Sequence, residues 1–310
     1  MNWRLKAFVQ NLAARLPAGL SYAAYYRIQR TFGGLRRIDP IPDLRKAAEI
    51  VRAVQLQKRD VAGKAVLEIG TGRMLNLPIG LFLCGATKIH TVDVNPYLKL
   101  ELVRESIAAM KREPERIRES FVELANATDL RQRLDLLFGI EDFSALQELL
   151  GLEYRAPADA GALAVLEKAS IDIHYSTNVF EHVSPHDLRR IVREARRVLR
   201  PGGLFVHRID LADHFTASDP SITSINFLQF SGPDWQDLAG NRFMYHNRLR
   251  SYELYKLFGE EGLDIVWKEE TVDPKALSLL QSGFRVDPRF MGRDPETLAT
   301  TFVKLVGVFR

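Results

Sequence analysis

The chain has little cysteine and no long apolar run. Cys84 is the one cysteine among 310 residues, which excludes an internal disulfide framework and is typical of a reducing compartment. No run approaches the roughly 18 apolar residues that a membrane-spanning helix needs. The first residues also lack the apolar core and cleavage site of a signal peptide. We therefore expect a cytoplasmic protein, in which Cys84 is an inert core thiol.

The chain also lacks a large excess of charge of either sign. The 43 Lys and Arg residues exceed the 39 Asp and Glu residues by only 4, although the isoelectric point of about 9.1 leaves a mild basic bias. A surplus this small gives no strong field for a polyanion, so we predict no nucleic-acid partner. With 46% hydrophobic and 26% charged residues, the composition is that of a globular protein with a sizeable core.

The first 40 residues form a basic amphipathic segment. Apolar side chains recur there at helical spacing: Trp3, Leu5, Phe8, Val9, Leu12 and Leu16. Clustered aromatic residues and arginines follow, up to Gly33 and Gly34. We expect residues 1–58 to be a helical extension that packs on the domain or covers its cleft as a lid. The alternative is peripheral contact with a membrane through residues 1–40.

From residue 59 onward, short apolar strands alternate with helices. This order is typical of βαβ units and predicts an α/β fold with a doubly wound, mostly parallel sheet. One stretch, residues 99–150, is highly charged, has helical periodicity and is broken at Pro114. Because it is too long for one crossover helix, we interpret it as a helical insertion between the second and third strands.

The first of these strands leads into a glycine turn, "AVLEIGTGRML". Glycine lets a backbone approach a ligand closely, and the following helix start offers unpaired N–H groups. A phosphate-binding P-loop is excluded because Arg73 and Met74 follow Gly72. A dinucleotide fingerprint is disfavoured because Leu75 occupies the position of its third glycine. The turn alone leaves the cofactor open.

Two stretches of the sequence resemble class I (Rossmann-like, seven-stranded) S-adenosylmethionine-dependent methyltransferases. The segment from Glu68 to Gly72 is similar to their E-x-G-x-G core, with Met74 where a further glycine is common. "ASIDIHYSTNVFEHVSPHDLRRIVREARRVLRPGGLFVHRID" resembles the family's stretch from the fourth strand, through its helix and a Pro-Gly-Gly turn, to the fifth strand. The resemblance implies a seven-stranded sheet with an antiparallel last strand. It also implies methyl transfer from S-adenosylmethionine in a domain spanning residues 59–310.

The resemblance also implies a set of cofactor residues. Asp93 ends the second strand, where it would bind the ribose hydroxyls; its alternative is a turn-forming Asp before Asn95. Asp159 is expected to bind the adenine amino group, with Asp129 as the competing choice. The full expected set is Glu68, Gly70, Thr71, Gly72, Asp93, Asp159 and Asn178.

Histidines are concentrated in the second half of the chain and supply candidate bases, because the pKa of imidazole is near neutrality. We rank His207, His214 and His182 as candidates, each with a packing or capping role as its alternative. The spacing of His207, Asp210, Asp213 and His214 would also permit a metal site. We nevertheless predict no metal.

Residues 212–250 lie where this fold often inserts an acceptor-binding cap. The expected acceptor residues are Trp235, Tyr245, Asn247, Arg248 and Arg250, since arginine suits anionic groups; a solvated helix start with Arg–carboxylate pairs is the alternative. We expect methylation of a small-molecule, glycan or lipid-linked acceptor, at oxygen rather than nitrogen. RNA methylation and a non-catalytic S-adenosylmethionine-binding scaffold remain the alternatives.

Overall fold

The computed structural model describes residues 2–310, with the side chain of Ala18 left out. Within this range the strands are β1 (Ala65–Ile69), β2 (Lys88–Val92), β3 (Leu152–Arg155), β4 (Ile171–Thr177), β5 (Leu199–Asp210), β6 (Leu263–Val272) and β7 (Thr300–Phe309). The helices are α1 (Trp3–Ala14), α2 (Ala18–Thr31), α3 (Ile41–Leu56), α4 (Asn76–Leu83), α5 (Leu100–Arg112), α6 (Pro114–Phe121), α7 (Ala127–Phe138), α8 (Phe143–Leu150), α9 (Pro185–Val198), α10 (Gly232–Ala239), α11 (Ser251–Glu260), α12 (Pro274–Gln281) and α13 (Pro295–Ala299).

The strands form one seven-stranded sheet in the order β3-β2-β1-β4-β5-β7-β6. The pairs β1–β2, β1–β4, β2–β3 and β4–β5 are parallel, and β7 runs antiparallel to both β5 and β6. The predicted seven-stranded sheet with an antiparallel last strand is therefore confirmed. Its strand order reverses between β1 and β4, and open α/β sheets bind their ligands in the crevice at such a point.

The central strands are apolar because helices cover both faces of the sheet. On one face, α3 and α4 pack closely: Gly80 lies so near Ala47 that an added Cβ would come within 2.4 Å of the Ala47 Cβ. The helix α3 thus belongs to the same core as β1, although it falls within the predicted 1–58 extension. Helices α5 to α8 occupy the stretch between β2 and β3.

The first helix, α1, packs against residues 215–235. Trp3 packs among Phe215, Phe230 and Trp235, with ring centroids 5.4 to 6.1 Å apart, and its amide donates to Asp219 Oδ2 at 2.8 Å. The buried face of α1 therefore joins an aromatic cluster around residues 215–235. Across residues 2–310, the structure contains no helix with the length and apolar character required to cross a bilayer.

Candidate active site

The turn after β1 is held tightly against the end of β2. Gly70 has φ +87° and its amide donates to the Val92 carbonyl at 2.8 Å. A Cβ on Gly70 would lie 2.5 Å from Val179 Cγ2, so both conformation and space demand glycine there. Gly72 has φ +67° in open surroundings. The sequence pattern thus marks a loop whose backbone lines a cleft.

Asp93 ties this loop to the second strand. Its Oδ2 accepts the Gly72 amide and its Oδ1 accepts the Asn95 amide, both at 2.9 Å. Burial raises the pKa of Asp93 from its ordinary value, against these two donors, which lower it. Each carboxylate oxygen keeps a second lone pair for a ligand hydroxyl, and Asp93 lines the cleft.

Glu68 and Thr71 lie behind the loop. The Thr91 hydroxyl donates to Glu68 Oε2 at 2.5 Å and shares a 2.6 Å hydrogen bond with the Thr71 hydroxyl. Glu68 is 1% exposed, and burial raises its pKa to about 8. The structure places Glu68 in the interior, where it joins β1 to β2 and supports the loop from below.

The cleft extends from this loop across the carboxyl ends of β1, β2 and β4 and has a volume of about 1030 Å³. That is at the upper end of the range for small-molecule sites. Asp159 and Asn178 both line it. The competing Asp129 lies instead in the first turn of α7, so the structure brings Asp159, not Asp129, to the predicted cofactor residues.

Two of these lining residues already have partners. Asp159 forms an ion pair with Arg190 and accepts the Gly161 amide, and both interactions lower its pKa. Asn178 has φ +56°, and its side-chain oxygen accepts from Arg208. Arg208 therefore fixes the orientation of the Asn178 amide at the cleft wall.

The candidate bases separate into two groups. His182 lines the cleft, and its ring centroid lies 5.0 Å from that of His214. His182 Nδ1 is 2.7 Å from the Tyr245 carbonyl, an acceptor, so we assign the ring proton to Nδ1. Although the ring is open to the cleft, surrounding protein lowers the pKa of His182 by desolvation. A neutral ring of this kind carries a free lone pair on Nε2.

His207 is placed elsewhere. It is 1% exposed, its ring stacks on Phe180 at 4.2 Å, and its nitrogens pair with Ser176 Oγ at 2.7 Å and His174 Nδ1 at 3.1 Å. Burial lowers the pKa of His207 well below its ordinary value. Both ring nitrogens are engaged inside the sheet, so the leading base predicted from the sequence has a packing role and no access to the cleft.

Of the five expected acceptor residues, Tyr245 lines the cleft. Trp235 belongs to the aromatic cluster around α1, and the Asn247 amide donates to the carbonyls of Phe180 and Val183. Arg248 and Arg250 are almost fully buried. Their guanidinium groups donate to the backbone carbonyls of Phe227, Phe230, Ser231, Leu211 and Thr300. The structure therefore gives Trp235 a packing role in the aromatic cluster. The polar side-chain groups of Asn247, Arg248 and Arg250 are used to bind backbone carbonyls and do not line the cleft.

The sequence allows for a lid within residues 1–58 but identifies no residue of α2 as part of the site. Tyr22 and Tyr25 line the cleft; Tyr22 packs on Tyr97 at 5.2 Å, and Tyr25 stacks on Phe243 at 5.1 Å. The Arg73 guanidinium lies 5.3 to 6.0 Å from three tyrosine rings. The cluster "SYAAYY" was the available signal, but it does not reveal which surface the helix covers.

Part of this arrangement matches a known family model. Residues 139–207, which run from the end of α7 through β4 and α9 into β5, match the family model described as a methyltransferase domain. This part of the chain is therefore similar to a methyltransferase domain. S-adenosylmethionine, the cofactor that the sequence resemblance implies, contains no pyrophosphate, so binding it would require no third glycine at Leu75.

The solved structures similar to this chain are distant. An S-adenosylmethionine-dependent methyltransferase from Mesorhizobium loti is 17% identical, with 85% of this chain and 99% of that chain covered and a TM-score of 0.43. The geranyl diphosphate C-methyltransferase of Streptomyces coelicolor A3(2) is 9% identical, with 86% and 78% covered and a TM-score of 0.47. No curated protein matches the chain. At these identities, the substrates named for the neighbours apply to those proteins alone.

The loop geometry predicts that Gly70→Ala weakens cofactor binding. The added Cβ would strain a positive φ and meet Val179, so we expect the Kd for S-adenosylhomocysteine, measured by calorimetry, to rise at least about tenfold. Gly63→Ala is the matched control, because Gly63 has φ +72° but free space and lies outside the cleft. Unchanged affinity in Gly70→Ala would contradict this view of the loop.

Burial of Glu68 predicts a specific pH dependence of stability. With a folded-state pKa of about 8 and an unfolded value near 4.3, the folded protein binds the extra proton between these limits. Its free energy of unfolding therefore loses a contribution on the order of a few kcal/mol as pH rises from about 5 to 8. Glu68→Gln, which is neutral throughout, should lack this loss.

Urea unfolding at pH 5, 6, 7 and 8 checks this, because the difference between wild type and Glu68→Gln cancels the other titrating groups. The exposed Glu123→Gln serves as the control. A difference that stays constant across this range would show that Glu68 is ionised in the folded protein at low pH.

Proposed function

We propose that this protein is an S-adenosylmethionine-dependent methyltransferase that methylates an oxygen atom of an amphipathic, lipid-linked acceptor at a membrane surface. One observation carries the proposal. The cleft joins the glycine loop to His182 and Tyr245 and is covered by α2, and the neighbouring α1 presents an exposed apolar face to the outside. We define the apolar face of α1 by Leu5, Phe8, Val9 and Leu12 of the helix together with Leu16, which follows its end.

At the cofactor end, Asp93 is proposed to accept hydrogen bonds from the ribose hydroxyls. The backbone around Gly70, Thr71 and Gly72 lies against the amino-acid part of the cofactor, with Glu68 supporting that loop from behind. Asp159 is proposed to bind the adenine amino group, and Asn178 lies at the same wall. Their common position along one side of the cleft supports this assignment.

At the acceptor end, the chemistry mainly requires alignment. Methyl transfer from a sulfonium is an in-line displacement, and holding both reactants in position supplies several kcal/mol. A hydroxyl acceptor must also lose a proton when it is methylated. His182 Nε2, which makes no hydrogen bond to the described residues, supplies a lone pair at this end of the cleft, either for the proton or for a bound cation. His214 lies beside it.

The apolar face of α1 supports a membrane location. Its five members are 48% to 65% exposed, whereas Trp3, Ala7 and Gln10 bury the opposite face. Residues 1–38 contain seven basic residues and no acid: Arg4, Lys6, Arg15, Arg27, Arg30, Arg36 and Arg37. An exposed apolar stripe within a purely basic segment is complementary to a bilayer containing anionic lipid.

The acceptor class predicts where a labelled methyl group accumulates. With methyl-labelled S-adenosylmethionine and a cell extract, we expect wild-type enzyme to label organic-extractable lipid, and product NMR to show an O-methyl group. Asp93→Asn should abolish labelling, and Asp129→Asn, on the surface of α7, should preserve it. Label confined to water-soluble metabolites, free glycans or RNA would overturn the lipid-linked acceptor. No label in any fraction would favour a non-catalytic S-adenosylmethionine-binding scaffold.

The membrane location predicts flotation with vesicles. Wild type should float with phosphatidylcholine vesicles that contain phosphatidylglycerol, less so without the anionic lipid, and less at high salt because the basic residues are screened. Leu12→Asp should reduce the bound fraction severalfold. Leu136→Asp on α7 is matched, since both leucines are 57% exposed. Equal flotation of the two variants would contradict docking through α1.

A further inference from the structure

Three potential metal ligands meet at the acceptor end of the cleft. Glu181 and His182 lie on the short 3-10 helix after β4, and His214 begins the 3-10 helix after β5. One ligand atom from each lies within 4.8 Å of the other two. The sequence places Glu181 beside His182 but gives no sign that His214, 32 positions further on, joins them.

Glu181 is the unusual member of this group. It is 0% exposed, and neither of its carboxylate oxygens has a hydrogen-bond partner among the described residues. A buried carboxylate without partners is strongly unfavourable unless it is neutralised or binds a cation. A cation between Glu181 and the histidines would supply the missing partner.

The surrounding groups orient the two histidines. His182 Nδ1 donates to the Tyr245 carbonyl at 2.7 Å, which leaves Nε2 as the free ligand atom, and such outer contacts are common around metal-binding histidines. Asp210 Oδ2 lies 3.4 Å from His214 Nε2 and adds negative charge. His246, although near, accepts the Arg248 amide through Nδ1, so its Nε2 carries the proton and is not a ligand.

We propose that Glu181, His182 and His214 bind one divalent transition-metal ion at the acceptor end of the cleft. Two imidazoles and one carboxylate suit Zn²⁺, Fe²⁺ or Co²⁺ better than Mg²⁺, which prefers oxygen ligands. Zn–N bonds of about 2.1 Å place tetrahedral ligands about 3.4 Å apart, so ligand atoms now within 4.8 Å of one another would need to approach by at most about 1.4 Å. Since His182 lines the cleft, an ion held by these residues would lie beside the acceptor end of the cleft.

The ion's role in the reaction rests on the proposed function: it would activate the acceptor hydroxyl. An acceptor hydroxyl bound at the open position would be polarised and lose its proton more readily. The oxygen then takes the methyl group, S-adenosylhomocysteine leaves, and the proton passes to water in the cleft. Metal binding itself requires neither cofactor nor acceptor, so it is measured separately from methyl transfer.

The test is a titration of chelator-treated full-length protein with Zn²⁺ and, in parallel, Mg²⁺, without S-adenosylmethionine. We expect one equivalent of Zn²⁺ to bind and Mg²⁺ to bind at least about a hundredfold more weakly. Co²⁺ should give visible absorption bands of a low-coordinate site with nitrogen ligands. Glu181→Gln and His214→Asn should each weaken Zn²⁺ binding tenfold or more. His186→Asn, on an exposed histidine paired with Asp187, should bind as wild type does.

Circular dichroism and thermal unfolding of the metal-free proteins confirm that each variant is folded. Because Glu181 is buried, His214→Asn at the partly exposed position carries the test if Glu181→Gln does not fold. The absence of stoichiometric Zn²⁺ binding, or equal loss in His186→Asn, would overturn the site. Zn²⁺ binding without labelled lipid would instead refute the proposed acceptor and leave the metal site standing.

Discussion

The close contact between the turn after β1 and the end of β2 is the constraint on which the site depends. Gly70 reaches Val92 through its amide, and Gly72 reaches the Asp93 carboxylate. The segment after β4 approaches the same turn so closely that a side chain on Gly70 would strike Val179. This part of the cleft lies at the point where the strand order reverses. The helices that pack on both faces of the sheet keep the strands in position.

The turn after β1 is also supported by hydrogen bonds from the interior of the sheet. The chain of hydrogen bonds from Glu68 through Thr91 to Thr71 joins the interior of the sheet to the loop. Glu68 therefore acts through the strands and not through contact with a ligand. This explains how an acidic residue at the end of β1 fits a cofactor-binding pattern while being 1% exposed.

Local features were predictable from the sequence, and features set by distant contacts were not. The strand–turn–strand run from Ala65 to Asp93 and the sheet topology follow from residues close together in the chain or from a resemblance with fixed spacing. His207 stands at the end of a strand that faces the cleft, yet its ring turns inward onto Phe180. Arg248 and Arg250 look like anion-binding residues, but they pair with carbonyls from loops far away in sequence. The meeting of Glu181 with His214 likewise depends on two loops that only the folded sheet brings together.

The helix α2 contacts both ends of the cleft. Its tyrosines pack on Tyr97, next to the cofactor loop, and on Phe243, near Tyr245 on the acceptor side. One helix therefore contributes to the wall at both ends of the cleft. Under the proposed function, the cofactor and the acceptor would share this wall, and a membrane that holds α1 and α2 in place would act on both binding sites at once.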